Sequence, residues 1–391
     1  MDRDLSPLDD ALADRDLDGY LLDADYGVAD QRYLSGVAVP DPFVTLYADG
    51  KTAVLVSGME VSRVETEGRA DAVRRWRDYD YRERVAEHGR PVARNLAVAD
   101  FCEEFGVEAV GVPERFPVWT ADGLRERGVA VDPDPEGLVA DLRAVKTAAE
   151  VECVREAQRA NEAAMSAAES LLADADVRDG VLHHGGEVLT SERVKATIEE
   201  TLLHRGCGLD DTIVACGADG AEPHNRGSGP LRAGEPVVVD VFPRDKDTHY
   251  HADMTRTFVR GEPSDEATAF YEATARAQDA ALDAIEAGVT GEAVHDAVCD
   301  VYEDAGYPTL RADEDANTGF IHTTGHGVGL EVHESPRLGP GGEELEVGNV
   351  VTVEPGLYDP DVGGVRIEDL VVVTEDGYEN LTDYPREFVL G

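Results

Sequence analysis

The sequence predicts a small α/β domain followed by a larger α+β domain, and three observations carry that expectation. Over the first ~140 residues, short helical and extended patterns alternate. An acid–proline run, Asp132-Pro133-Asp134-Pro135, then interrupts the alternation. Beyond it the order helix, helix, hairpin occurs twice, and each hairpin carries acids among Val and Ile. The domains are therefore placed at residues 1–140 and 141–391, in a chain of 391 residues that is long enough for two.

Taken in order, Ser6-Pro7 starts a helix, with proline where the first helical N–H has no partner to lose. Gly19 to Leu22 reads as a strand. Phe43 to Tyr47 and Thr52 to Val56 flank Ala48-Asp49-Gly50-Lys51, a hairpin signal. Helical patterns follow at Met59 to Glu67, Val92 to Phe105 and Thr120 to Arg127, with strands at Val107 to Val112 and Val129 to Val131. Helices alternating with strands imply a mixed sheet.

After the interruption a long helix runs to Ala173, starting near Glu136 or Ala148. Val151, Val154, Ala157, Ala160 and Ala164 lie on one face and read as core packing. Ser191 to Leu203 gives a second helix, stopped by Gly206. Asp265 to Ala287 and Gly291 to Ala305 repeat the pair. His183-His184, His249 and His251 read as loop residues. The first hairpin places Asp240 and Asp253 on its strands and the second places Glu354 and Glu368, so two related halves would close over one site.

The formal charge is −47, with lysine only at positions 51, 146, 195 and 246. Such a chain repels phosphate backbones and anionic lipid, which excludes nucleic-acid and membrane partners. Uniform acid excess suits a surface that stays soluble in concentrated salt, and a halophilic protein is expected. Five cysteines at irregular spacing, without CxxC, suggest neither a disulfide framework nor a thiolate zinc site. The first residues lack a basic start and an apolar core, and no apolar run reaches spanning length, so a cytoplasmic protein is expected.

The chemistry concentrates in one constellation. Asp240 interrupts Val237 to Val241, a run that should be buried on both faces. An ionised carboxylate there is costly without a compensating positive charge. One acid could pair with an arginine, but arginines are too scarce in these segments to serve four. Two divalent cations would balance most of the charge of Asp240, Asp253, Glu354 and Glu368, with His326 as a single imidazole. That donor set suits Mn²⁺, Co²⁺ or Fe²⁺, and zinc also accepts it. Paired metals bridged by carboxylate and water are a standard arrangement for peptide and phosphate-ester hydrolysis. Gly325, Gly327 and Gly329 are expected to let the backbone pass close beside the ions.

The motifs "IVACGADGAEPH" (213–224), "VVVDVFPR" around Asp240 and "HADMTRTF" around Asp253 resemble those of the pita-bread metallopeptidases. So do "GHGVGLEVHE" with His326 and His333, "VTVEPGLY" with Glu354, and "GGVRIEDLVVVTEDG" with Glu368. That family includes methionine aminopeptidase, aminopeptidase P and prolidase. The first ~140 residues resemble the creatinase/prolidase-type N-terminal α/β domain, so the likeness covers almost the whole chain and implies a pita-bread catalytic domain. It implies that Asp240, Asp253 and Glu368 hold one metal and Asp253, His326, Glu354 and Glu368 the other. It further implies Glu354 as general base, and His224 and His333 as supports of the tetrahedral oxyanion. His322 and Arg366 match pocket positions, Arg366 either as a fork for the substrate carboxylate or paired to a nearby acid. Val241-Phe242-Pro243-Arg244 stands where the family has small residues, so the pocket beside the first acid should differ.

The resemblance implies hydrolysis of Xaa-Pro bonds at the N-terminus of dipeptides or short peptides by a dinuclear metal-activated hydroxide. A homodimer acting on a short peptide is expected. Aminopeptidase P activity on longer peptides is the alternative within the same chemistry. Methionine aminopeptidase fits less well, given the N-terminal domain. A small-molecule hydrolase or lyase on the same fold, and a non-catalytic binding module, are the other readings; metal-free relatives lose ligands, and all five are present here.

Overall fold

A computed structural model describes residues 3–391 of the chain, which divides into two compact units, one ending at Arg143 and the other spanning Ala144–Gly391. The first unit is built on one six-stranded sheet, in the order Ala72–Arg75, Lys51–Val56, Phe43–Ala48, Gly19–Ala24, Ala109–Pro113, Ala130–Asp134. Its three outer pairings are parallel and the two central ones are antiparallel. Asp49 and Gly50 both take positive φ (52° and 69°), which gives the two-residue turn the twist its strands need. Alternate residues serve opposite faces. Val44, Leu46 and Leu55 pack toward Val98 and Phe101, whereas Phe43, Val54 and Val56 pack toward Val37 and Val64.

The acid–proline run does not break this sheet. Asp132, Pro133 and Asp134 continue the strand Ala130–Asp134, which lies at the sheet edge, where a missing N–H costs no ladder bond on the open side. Asp134 then accepts from Tyr20 Oη at 3.0 Å and from the Leu138 N–H at 2.8 Å, which ties the edge to the helix Leu138–Ala144.

The second unit contains the expected repeat. Helix Ala148–Ala173 begins at Thr147, which forms a capping box with Glu150. Val154, Ala157, Ala160 and Ala164 of its stripe are buried, while Val151 is half-buried. With Ser191–His204 it covers a sheet ordered Thr212–Cys216, Val237–Val241, Met254–Arg260, Val389–Leu390. Helices Asp265–Ala284 and Gly291–Asp304, capped by Ser264 and Thr290, cover a second sheet. Its order is Glu334–Leu338, Gly325–Gly327, Val350–Val353, Asp369–Thr374, Gly377–Asn380. Each sheet thus has its own apolar cluster. His183 and His184 lie on the strand Val181–His184 of a small third sheet rather than in a loop.

The sheets are stitched along a seam. The Glu368 N–H donates to Thr255 O at 3.0 Å, and Thr257 Oγ1 donates to Arg366 O at 2.9 Å. Arg256, almost fully buried, donates through Nη1 to Glu368 O (2.6 Å) and through Nη2 to Asp369 Oδ1 (2.7 Å).

Candidate metal centre

The expected ligands converge on this seam, mostly from strand ends rather than strand middles. Asp240 lies within the strand Val237–Val241, one residue from its end, opposite Ile213 on one side and Thr255 on the other. Asp253 immediately precedes Met254–Arg260, and Glu354 immediately follows Val350–Val353. Glu368 falls between Gly363–Arg366 and Asp369–Thr374, where the chain leaves one sheet for another. His326 occupies the centre of the short strand Gly325–Gly327. The glycines around it serve close strand packing. A Cβ at Gly325 would meet Thr352 O at 2.0 Å, and one at Gly327 would meet Ser335 O at 2.1 Å. The crowding is with neighbouring backbone, not with the space beside the acids.

Ligand atoms of Asp253, His326 and Glu368 all lie within 4.8 Å of one another. His326 Nε2 is 3.4 Å from Glu354 Oε1 and 3.8 Å from Asp253 Oδ2. Its Nδ1 faces Gly327 O at 3.1 Å. A carbonyl only accepts, so the proton belongs on Nδ1 and the Nε2 lone pair is left for a cation. Glu368 Oε2 accepts from Thr255 Oγ1 at 2.7 Å. Asp240 Oδ2 accepts from Arg366 Nη2 at 2.6 Å, while Asp240 Oδ1 and Asp253 Oδ1 are buried without a hydrogen-bond partner.

Without a cation this arrangement is electrostatically frustrated. Burial, reinforced by Glu368, Asp240 and Glu354, holds the Asp253 carboxyl well above the usual range. Burial and the same crowding do so for Glu368. Burial pushes Glu354 up to about 8, with Asp240 adding to the shift and Arg366 opposing it. Burial lowers His326 to about 4, helped by His333. Acids reluctant to ionise, a neutral imidazole and two orphaned buried oxygens form a donor set that divalent cations would satisfy. Of the five expected ligands, Asp240 alone is paired with arginine.

The other expected residues line the same cavity of about 1050 Å³: His224, His322, His333 and Arg366. His333 stands edge-on to His326, with ring centroids 4.3 Å apart. His322 Nδ1 faces Thr323 O at 2.7 Å and its Nε2 lies 2.9 Å from Tyr358 Oη. Tyr358 therefore donates to His322 and accepts from Arg366 Nη1 at 2.8 Å. Burial, then Arg366, lowers His322 to about 3, so it is neutral. Arg366 Nε also donates to Thr255 Oγ1 at 3.1 Å. Each nitrogen of this arginine is engaged, so it does not present a free fork to substrate; the buried charge of Asp240 claims it. Sequence reasoning passed over Thr255 and Tyr358, although both lie inside motifs it singled out. It also passed over Lys146, whose partner Glu334 lines the cavity.

Residues 152–375 match metallopeptidase family M24, and residues 5–145 match the creatinase/prolidase N-terminal domain. The chain belongs to metallopeptidase family M24. This M24 metallopeptidase is 34% identical over 259 residues to the Xaa-Pro dipeptidase of Pyrococcus furiosus, covering 65% of this chain and 67% of that one. Among solved structures, the Xaa-Pro dipeptidase of Bacillus anthracis superposes with a TM-score of 0.81 at 27% identity, covering 98% of each chain. The X-Pro aminopeptidase of Thermotoga maritima follows at 0.77 and 26%, covering 96% of this chain and 98% of that one. The expected fold class therefore holds for this M24 member: a creatinase/prolidase-type N-terminal domain precedes a pita-bread catalytic domain. Among the described residues, no helix is long and apolar enough to cross a membrane.

Proposed function

We propose that the chain is a metallo-exopeptidase that hydrolyses the Xaa-Pro bond of dipeptides, with two divalent cations held by Asp240, Asp253, His326, Glu354 and Glu368. The observation that carries this reading is the meeting of Asp253, His326 and Glu368 ligand atoms within 4.8 Å of one another, with Glu354 beside His326 and a buried, partnerless carboxylate oxygen on each of Asp240 and Asp253. The names of the relatives supply the substrate class. Manganese or cobalt is the favoured ion, with iron and zinc as alternatives for the same donor set. Such ions polarise the scissile carbonyl and supply water acidic enough to ionise near neutral pH.

The chain's own residues do the rest. Glu354, beside His326 Nε2, takes and returns the proton during attack and departure of the leaving amine. His333 and His224 face the cavity as donors to the oxyanion that develops on the substrate. His322, neutral through burial, held by Tyr358 Oη and edge-on to Phe320, offers a flat wall to the proline ring. Arg366 we assign to holding Asp240 rather than to the substrate carboxylate.

The remaining readings are ours as well. The N-terminal domain extends to about residue 140, and residues 141–391 carry the catalysis. Acidic surface and scarce lysine support a halophilic protein, and five free cysteines support the cytoplasm. A homodimer is expected from the family alone.

The test is turnover of Xaa-Pro dipeptides against Xaa-Pro tripeptides after loading with Mn²⁺ or Co²⁺ in concentrated salt. Cleavage confined to dipeptides supports the proposal. Preference for tripeptides replaces it with the aminopeptidase reading, and inertness toward both sends the search to small non-peptide molecules.

A further inference from the structure

The first residues of the second unit run behind the metal site, and one of them is a buried cation. Lys146 Nζ lies 2.9 Å from Glu334 Oε2, with the two side chains 1% and 2% exposed. Nζ also donates to Ala144 O at 3.3 Å. The Lys146 N–H donates to Gly348 O at 3.0 Å, and Ala144 O accepts from Asn349 Nδ2 at 3.0 Å. The lysine is thus fastened to the turn that leads into Val350–Val353 and Glu354.

Glu334 is fastened in its turn. Its Oε1 accepts from the Glu331 N–H at 3.1 Å. A Cβ on Gly329 would come within 2.4 Å of Oε2 and 2.9 Å of Oε1, so the carboxylate packs flat against that glycine. The Gly329 N–H donates to Glu331 O at 3.0 Å, and Gly329 O accepts from the His251 N–H at 2.8 Å. The carboxylate therefore fills a tight bend from Gly329 to His333, and the bend ends on the imidazole that abuts His326. Glu334 and His333 both face the catalytic cavity.

A buried Lys–Glu pair contributes little or no stability over well-packed apolar side chains of similar volume, and breaking it by removing one partner is strongly destabilising. What it supplies here is placement. The cavity already holds four carboxylates, and oxygen donors seek divalent cations. A fifth carboxylate released beside them would be drawn to the ions and would take the bend with it.

We propose that Lys146 is a positioning residue: its ammonium holds the Glu334 carboxylate inside the Gly329–His333 bend, away from the acidic centre, so that His333 keeps its place against His326. The kinetic part of the test rests on the dipeptidase reading; the spectroscopic part does not.

The experiment uses the full chain, Mn²⁺-loaded, in concentrated salt. In Lys146→Met, kcat on an Xaa-Pro dipeptide is expected to fall ~10–100-fold with KM little changed. Lys146→Arg should recover most of the loss, and Lys146→Met/Glu334→Gln at least ~10-fold of it, because the amide still accepts from Glu331 without the stray charge. Undiminished kcat in Lys146→Met, or a double variant no better than the single one, overturns the proposal. Should Lys146→Met not fold, Gly329→Ala decides, since it displaces the carboxylate while leaving the ion pair's chemistry intact. Loss of kcat at constant KM supports the proposal, and parental turnover sinks it. Independently of turnover, and with diamagnetic Zn²⁺ in place of Mn²⁺, the imidazole ¹⁵N–¹H signals of His333, identified by their loss in His333→Gln, should move in Gly329→Ala. Unmoved signals overturn the idea even if the parent proves inert on every Xaa-Pro peptide, a result that would remove the dipeptidase reading alone.

Discussion

Arg366 Nη2 lies 2.6 Å from Asp240 Oδ2, and 126 positions of sequence separate the two residues. The pair joins the first sheet to the short hairpin Gly356–Asp359/Gly363–Arg366 and leaves Asp240 Oδ1 buried and unclaimed. Replacing Arg366 by Met removes the hydrogen bond that orients the Asp240 carboxylate. Affinity for Mn²⁺ should fall ~10–100-fold, as for other residues that support a metal ligand. Calorimetric titration of the metal-free protein measures it, and unchanged affinity would assign the arginine elsewhere.

Glu354→Gln keeps the side chain's volume and removes its charge and basicity. Turnover should drop ~10²–10⁴-fold with an unaltered circular dichroism spectrum. Near-parental turnover would take Glu354 out of the proton transfer.

The metal-free protein should have a stability maximum in mildly acidic to neutral solution. Glu354 is raised to about 8 in the folded chain, so between its unfolded value of about 4.3 and 8 the native state binds more protons than the unfolded one. Its contribution is present at low pH and is lost as pH rises through that window. His326 and His322, lowered to about 4 and about 3, act oppositely: their contribution is present above about 6.5 and is lost as pH falls toward those values. Mn²⁺ should remove the alkaline loss, so the gap in melting temperature between loaded and stripped protein widens from pH 5 to pH 8. A gap independent of pH would contradict these protonation states.

The formal charge of −47 with only four lysines leaves most surface acids without a partner of opposite sign. Lowering KCl from molar to ~0.05 M lengthens the screening distance several-fold, and the melting temperature should fall steeply. A melting temperature that ignores the dilution would separate the acidic surface from any salt requirement.

Tyr358→Phe removes the hydroxyl that donates to His322 and accepts from Arg366. His322 Nε2 is then unsatisfied and the ring loses its fixed orientation, so KM for the dipeptide should rise more than kcat falls. The reverse pattern would tie the tyrosine to the metal ligands instead.

How much of this was legible depended on distance along the chain. Asp240, Asp253, Glu354 and Glu368 stood out because a charge inside or beside a Val-rich run is anomalous within a window of a few residues. Periodicity placed the alanine stripe of Ala148–Ala173 and the starts of the later helices at Asp265 and Gly291 for the same local reason. The partners of those acids were not legible. Arg366 serves Asp240 across 126 positions and Lys146 serves Glu334 across 188, and no local pattern announces such a meeting. Pro133 misled, because two prolines near acids read as an interruption unless the strand is known to lie at an edge. The glycines beside His326 were read as room for ions, whereas the bodies they avoid are the carbonyls of Thr352 and Ser335.

Each sheet of the catalytic unit has a separate apolar cluster, and the five donors are divided between them, two from the first and three from the second. An ion bound there rivets one leaf to the other, and chelation leaves the joint to the protein's own bonds, among them those of Arg256, Thr257 and Glu368 and the Arg366–Asp240 pair. Protease cuts in stripped protein should therefore begin along that joint, with each leaf surviving longer than the hinge line between them.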